Sequence, residues 1–176
     1  MNIIAISAVT AGGKTTVTKA LQKRLPKAAA LYFDDYTFEG EVEDYGKWIS
    51  EGADVNVWDL TPLRADIERI IRSGAYDFLL LDYPFAYEHR MINAYLNCCI
   101  FIDTPLDIAM ARRVLRDMQD ASADAIREEM QTYLNIARTA YVHMVNSQRT
   151  GSDHVIDGAM PLNEVIREAE AVILHC

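Results

Sequence analysis

Ile3-Ile4-Ala5-Ile6-Ser7-Ala8-Val9-Thr10-Ala11-Gly12-Gly13-Lys14-Thr15-Thr16 is the stretch whose reading decides the fold. A short apolar run leads into a loop of small residues, then Lys-Thr-Thr, then a helical pattern. This is the layout of the Walker A phosphate loop, G-x-x-x-x-G-K-[ST], with Ala8 where the first glycine is usual. A loop of this kind turns backbone N–H groups inward around a phosphate chain. The helix that starts at Lys14 then adds the positive end of its dipole. Lys14 is placed to reach the terminal phosphates and the Thr15 hydroxyl to ligate Mg²⁺. The competing reading is a plain strand-to-helix turn with an exposed lysine. Strand and helix signals on both sides favour phosphate binding.

Working outward, Ile3–Ser7 reads as a short strand buried on both faces, because apolar residues run through it without alternation. After the loop, Val17, Ala20, Leu21 and Leu25 recur at helical spacing until Pro26. Ala29–Phe33 is a second apolar run, closed by Asp34 and Asp35. Residues 36–59 are irregular and dense in acids and rings, including Tyr36, Phe38, Tyr45, Trp48 and Trp58. A short helix over 42–51 with Gly52 as its stop is expected within them. So long an irregular segment in a compact domain is often functional.

Pro62 then opens a helix faced by Leu63, Ile67, Ile70 and Ile71 and ended by Gly74. Residues 76–82 and 97–103 are further buried strands. Thr104-Pro105-Leu106-Asp107 predicts a helix start with Thr104 as N-cap and Pro105 in the first turn. One long helix is expected over 123–145, with Met130, Leu134, Ala137 and Tyr141 as core. A strand at 154–158 and a helix at 161–174 complete the chain. Strands alternating with helices predict an α/β fold of three layers around a parallel sheet. Ligands bind beyond the carboxyl ends of such strands. That rim collects the phosphate loop, Asp34, Asp35, Asp82, Asp103 and Asp157-Gly158.

On the rim, Asp34 and Asp35 are placed to accept the proton of an acceptor hydroxyl or to hold Mg²⁺ through water, although aspartates also end strands as turn residues. Asp82 follows four apolar strand residues, the Walker B arrangement for metal support. Asp103 reads as part of the following turn and is left out of the site. Arg112 and Arg116, four apart, share a helix face and Arg113 points elsewhere. They suit the charge that spreads over a transferring phosphoryl group, or else a solvated face paired with Asp107, Asp117 and Asp120. The four histidines show neither triad nor metal spacing and read as surface or packing residues.

Net charge is −9, which argues against a nucleic-acid backbone as partner, though not against a nucleotide held locally with Mg²⁺. Cys98, Cys99 and Cys176 show no metal spacing and no disulfide framework, so three reduced thiols are expected. The chain opens on a strand with no room for a leader, and no apolar run reaches membrane-spanning length. A cytoplasmic protein, monomeric or homodimeric, follows as the expectation.

Residues 6–16, Leu21-Gln22-Lys23-Arg24-Leu25-Pro26 and Asp34-Asp35-Tyr36 together resemble the uridine kinase-like P-loop kinases, and within them the nicotinamide riboside kinases. Over the rest of the chain, Trp58-Asp59, the strand to Asp82, the arginine-bearing helix and Asp157-Gly158 follow in the same order. The resemblance implies a single P-loop NTPase domain over 1–176 with a five-stranded sheet of order 2-3-1-4-5. It also implies a kinase that uses ATP and Mg²⁺. In that frame Asp34 is the base and a magnesium neighbour, Thr15 the Mg²⁺ ligand and Lys14 the β,γ-phosphate contact. Asp35, Tyr36, Trp58 and Asp59 line the acceptor pocket within a 34–59 insert. Arg112, Arg113 and Arg116 belong to a short lid over 112–124, and Asp157, Gly158 and Ala159 lie near the adenine.

Asp82-Tyr83-Pro84 stands where Glu-Gly is common in that family, and Thr37-Phe38-Glu39 where Phe-Lys-Pro is common. The implied acceptor is a small molecule, a nucleoside or related riboside. Nucleoside monophosphates, other metabolites and antibiotics are the alternatives. A nucleotide-gated switch is the non-enzymatic alternative, and the absence of any Asn-Lys-x-Asp guanine motif speaks against it.

Overall fold

The computed structural model describes residues 1–40, 42 and 44–176. Among these residues five strands form one parallel sheet: β1 (Asn2–Ser7), β2 (Ala28–Tyr32), β3 (Phe78–Asp82), β4 (Cys98–Asp103) and β5 (His154–Asp157). Their order is β2-β3-β1-β4-β5, as expected. β1 lies centrally, pairing Ile3 with Leu79 on one side and Ile6 with Ile100 on the other. Strands buried on both faces need apolar residues at every position, which is why β1, β3 and β4 carry unbroken runs.

Alternate side chains of each strand enter different cores. Ile3, Ala5, Leu79 and Leu81 pack under α3 (Thr61–Ser73) with Leu63, Ile67 and Ile70. Ile4, Ile6, Leu80, Ile100 and Ile102 pack under α1 (Lys14–Arg24) and α7 (Leu162–Ile173) with Val17, Leu21, Val165 and Ala169. The expected stops hold: Pro62 sits in the first turn of α3, and Gly74 ends it with a left-handed backbone, φ 60°.

Four expectations are corrected. First, the short helix of the 34–59 segment, α2, covers only Tyr45–Ser50, because the Asp44 carboxylate accepts from Lys47 N–H and fixes its start. Val42 is outside it, and Glu43 lies outside the described residues.

Second, Thr104 is not an N-cap. α4 (Leu106–Asp117) is preceded by Pro105, while the Thr104 hydroxyl reaches the phosphate loop and donates to Gly12 O at 2.8 Å.

Third, the long helix is interrupted. α5 (Ala123–Thr132) and α6 (Arg138–Gly151) are joined by a π turn over Tyr133–Ala137. A π turn shifts the helix face by one residue and is frequent at functional sites. Here the shift takes Leu134 out of any core, 64% exposed, and turns Ala137 and Tyr141 toward the cavity described below.

Fourth, not all three thiols are free. Cys98 is paired with Cys176 in a disulfide, and Cys99 remains free and buried.

Candidate active site

The carboxyl ends of the strands open into one cavity of about 1380 Å³. Its floor is the loop after β1. Ala8 needs no left-handed backbone. That conformation falls on Ala11 (φ 58°) and Gly13 (φ 105°), so alanine replaces the first glycine of the motif without strain. Gly12 is different: a Cβ there would lie 2.8 Å from both Ala8 Cβ and Val9 O, so nothing larger than glycine fits. The loop delivers the chain into α1, whose N-cap, Gly13, offers no side-chain hydrogen bond. The first-turn N–H groups are therefore available to an anionic ligand.

Above the loop sits a charge cluster. Lys14 Nζ lies 3.1 Å from Asp82 Oδ1 and 3.6 Å from Asp34 Oδ2. Thr15 Oγ1 donates to Asp82 Oδ2 at 2.5 Å. Asp82 is buried and its Oδ1 takes no hydrogen bond, so Lys14 is its only charge partner among the described residues. The Asp34 side chain, by contrast, is 76% exposed within the cavity mouth. A hydroxyl and two carboxylates are the hard oxygen donors that suit Mg²⁺, and Asp82 Oδ1, buried with no hydrogen bond and only the Lys14 ammonium facing it, has coordination to spare for such an ion.

Three arginines of α4 line the cavity, Arg113 included, although spacing had pointed it elsewhere. Arg113 is held by Glu129 of α5 at 2.7 Å and by the Tyr141 hydroxyl of α6, which covers the cavity, at 3.3 Å. Arg116 pairs with Asp117. Arg112 makes no ion pair among the described residues and only a long hydrogen bond, 3.4 Å, to Gly158 O. Gly158 is glycine because a Cβ there would lie 1.9 Å from the Thr104 hydroxyl. Thr104 thus ties the loop after β4 to Gly12 while Gly158 packs against it.

Other implied site residues are placed outside the cavity. The Asp35 carboxylate is exposed beyond it. Tyr36 stacks on Phe38 and donates to Asp66 at 2.8 Å; burial first, and then this bond, hold its hydroxyl well above the ordinary phenol range. Asp59 accepts from Thr61 N and Thr61 Oγ1 at the start of α3, and these bonds lower its pKa. Asp157 accepts from Ala159 N in a turn, and of the 157–159 trio only Gly158 lines the cavity. Trp58 does line it, but only 6% exposed, wedged between Trp48, edge-on at 5.4 Å, and Phe85, tilted at 5.1 Å. The more exposed rings there are Tyr45 and Trp48, on α2.

Two buried polar residues of this region carry no sequence signal. Gln148 of α6 accepts from Ser7 Oγ at 2.7 Å, fastening the covering helix to the end of β1. His89 is buried, with Nε2–H donating to Trp58 O (3.0 Å) and Nδ1 accepting from Met91 N (3.3 Å), a pattern that requires the neutral ring. Burial pushes its pKa below the ordinary 6.5, against weaker upward pulls from the Trp58 bond, Asp54 and Asp59. The unfolded chain therefore takes up a proton first. Stability is expected to be flat above about pH 6.5 and to fall as pH drops below it, until the folded-state pKa is passed. Carboxylates such as Asp59 and Asp66, lowered from 3.8, act only at more acidic pH. Urea unfolding at pH 7.5 and 5.5 checks this: the difference should shrink in His89→Gln, and an unchanged difference would remove His89 as its source.

The comparison with known proteins bears on this geometry. The sequence profile of the Phosphoribulokinase / Uridine kinase family matches residues 77–165, 89 of the 176 residues. The chain belongs to the phosphoribulokinase/uridine kinase family. A uridine kinase of Streptococcus agalactiae is 28% identical, covering 88% of this chain and 85% of its own. One from Staphylococcus epidermidis is 26% identical over 88% and 86%. Among solved structures, a shikimate kinase of Bacteroides thetaiotaomicron has a TM-score of 0.57 at 12% identity, covering 98% of each chain. A gluconokinase of Sinorhizobium meliloti has a TM-score of 0.53 at 16% identity, covering 99% of this chain and 92% of that one. Such distant neighbours share the fold. The stretch matched by the phosphoribulokinase/uridine kinase profile does not overlap the 6–36 segment that carries the motif resemblance, so two separate parts of the chain point the same way.

Proposed function

We propose that the chain is an ATP-dependent kinase that transfers the γ-phosphoryl group to a hydroxyl of a nucleoside or related riboside. The observation that carries this reading is the Lys14–Asp82–Asp34 cluster, which stands over the phosphate loop and faces an aromatic-walled cavity. The N–H groups of the loop and first turn of α1 would hold the triphosphate, with Met160, Leu162 and Val165 as apolar wall toward the base. Thr15, Asp82 and Asp34 are the residues that would hold Mg²⁺. When bound, that ion neutralises charge on the β- and γ-oxygens.

Asp34, open to the cavity, accepts the proton of the acceptor hydroxyl. Lys14 and Arg112 stabilise charge on the transferring group, and Arg113, already tethered to Glu129 and Tyr141, holds the covering helix over it. Most of the acceleration then comes from positioning and electrostatics. A coupled ADP-release screen over nucleosides, nicotinamide riboside, sugars and small acids tests the reading. Turnover confined to non-ribosyl acceptors would overturn the acceptor class, and no ATP turnover with any of them would overturn the activity.

The acceptor wall makes its own prediction. Trp58→Ala would hollow the core, which costs about 3–5 kcal/mol and confuses binding with folding. Trp48, half-buried, is the cleaner probe. Loss of an aromatic contact is worth about 0.5–1.5 kcal/mol. Trp48→Ala is thus expected to raise the acceptor KM about 2- to 12-fold while the KM for ATP stays unchanged. Equal changes in both would move the acceptor away from α2.

A further inference from the structure

At the opposite end of the sheet from the phosphate loop, three ligand-type side chains converge. Cys98 begins β4, His154 begins β5, and Cys176 follows α7. Their sulfur and ring-nitrogen atoms all lie within 4.8 Å of one another. The register explains the meeting. His154 pairs with Ile100, two residues beyond Cys98 on the same strand face, and that face is the one α7 covers. Cys98 is buried, whereas His154 and Cys176 are exposed, so the cluster has a dry wall and an open side. Neither ring nitrogen of His154 has a hydrogen-bond partner among the described residues. Its neighbour Asp153 is engaged elsewhere, accepting from the Tyr87 hydroxyl and from Cys99 N.

We propose that, with the Cys98–Cys176 bond reduced, these three residues bind one Zn²⁺ ion, with water as the fourth ligand. Two thiolates and an imidazole are a standard zinc donor set. Zn–S and Zn–N lengths of about 2.3 and 2.0 Å put tetrahedral ligand atoms roughly 3.5–3.8 Å apart, so the two sulfurs, bonded to each other here, would separate to that distance on reduction, within a cluster whose ligand atoms all lie within 4.8 Å of one another. Binding displaces the two thiol protons and transfers no electrons, so affinity rises with pH. The site shares no residue with the phosphoryl-transfer site. The ion would join the starts of β4 and β5 to the end of α7, a structural role rather than a catalytic one.

The test uses the full chain treated with a water-soluble phosphine, which takes up the oxygen of water as the two sulfurs each gain a proton. Alkylation and mass spectrometry confirm that the thiols are open. Co²⁺ is then added as the probe. One equivalent is expected to give the intense visible bands and sulfur charge-transfer absorption of a tetrahedral thiolate site, and Zn²⁺ is expected to abolish them. Cys176→Ser should reduce the charge-transfer band at least by half, since only the Cys98 thiolate is left, and His154→Ala should weaken binding at least 10-fold. Because both positions are exposed, metal-free thermal melts serve as the folding control. Zn²⁺ at 100 times its Kd is also expected to raise the melting temperature of the reduced chain. A wholly octahedral Co²⁺ spectrum, a charge-transfer band undiminished in Cys176→Ser, or thiols that the phosphine cannot open in the folded chain would each overturn the proposal.

Discussion

Replacing Lys14 by alanine is expected to lower kcat/KM for phosphoryl transfer by about 10³-fold, the loss typical of a donor aimed at developing charge. The same substitution does something else. Asp82 is buried and Lys14, at 3.1 Å, is its charge partner, so the alanine variant retains a buried carboxylate without a cation. Breaking a buried pair in this way costs about 3–5 kcal/mol, enough to unfold part of a marginal protein. An activity loss by itself would thus be ambiguous.

The double variant Lys14→Ala/Asp82→Asn separates the two effects. Removing the orphaned charge is expected to return most of the unfolding free energy, since an amide still accepts from Thr15, while turnover stays at the level of the single variant or below. Urea unfolding and ADP release on the three proteins check this. Turnover that returns with stability would show that Lys14 serves the fold and not the chemistry.

The features that were legible in the sequence are those fixed by local geometry. Gly12 and Lys14 stand where a tight loop entering a helix demands them. Gly74 sits where a left-handed helix end requires it, and the unbroken apolar runs mark strands covered on both faces. What was not legible depends on partners far along the chain. Thr104 looks like an N-cap because Thr-Pro usually begins a helix, yet its hydroxyl serves Gly12, 92 residues away. Gln148 is an ordinary polar helix residue until its side chain meets Ser7, 141 residues earlier.

The covering helix misleads for another reason. Ala137 and Tyr141, four apart, look like part of a core stripe, but they face a cavity that a ligand would fill. A face that binds a ligand and a face that packs on a core have the same apolar period. Tyr36 and Asp59 illustrate the converse. Both lie in the segment expected to meet the acceptor, and both are taken up by bonds to α3.

Asp34→Asn is expected to leave ATP binding within about 3-fold of the parent while lowering kcat by about 10²–10⁴, the range for losing a general base. The geometry sets these two expectations apart. Asp34 is the middle residue of a short 3₁₀ turn, Phe33–Asp35, and Phe33 anchors that turn by packing on Phe38 and edge-on against Phe85, 4.7 and 5.2 Å between centroids. The carboxylate is thereby fixed in the cavity mouth, 3.6 Å from the lysine that would touch the γ-phosphate. It remains largely solvent-exposed until an acceptor covers it. Asn keeps the size and cannot take a proton, so a purely steric or structural role would leave kcat nearly unchanged.

Asp35 is the internal comparison. It sits one residue along the same turn, points outside the cavity, and its conversion to Asn is expected to change kcat by less than about 5-fold, well under the range for a base. The measurements are isothermal titration with ATP·Mg²⁺ and steady-state ADP release for each variant. Equal, mild effects at the two positions would place the base elsewhere. A large loss of ATP affinity in Asp34→Asn would instead make Asp34 chiefly a metal neighbour, because that affinity is where the hard-oxygen set of Thr15, Asp82 and Asp34 would act.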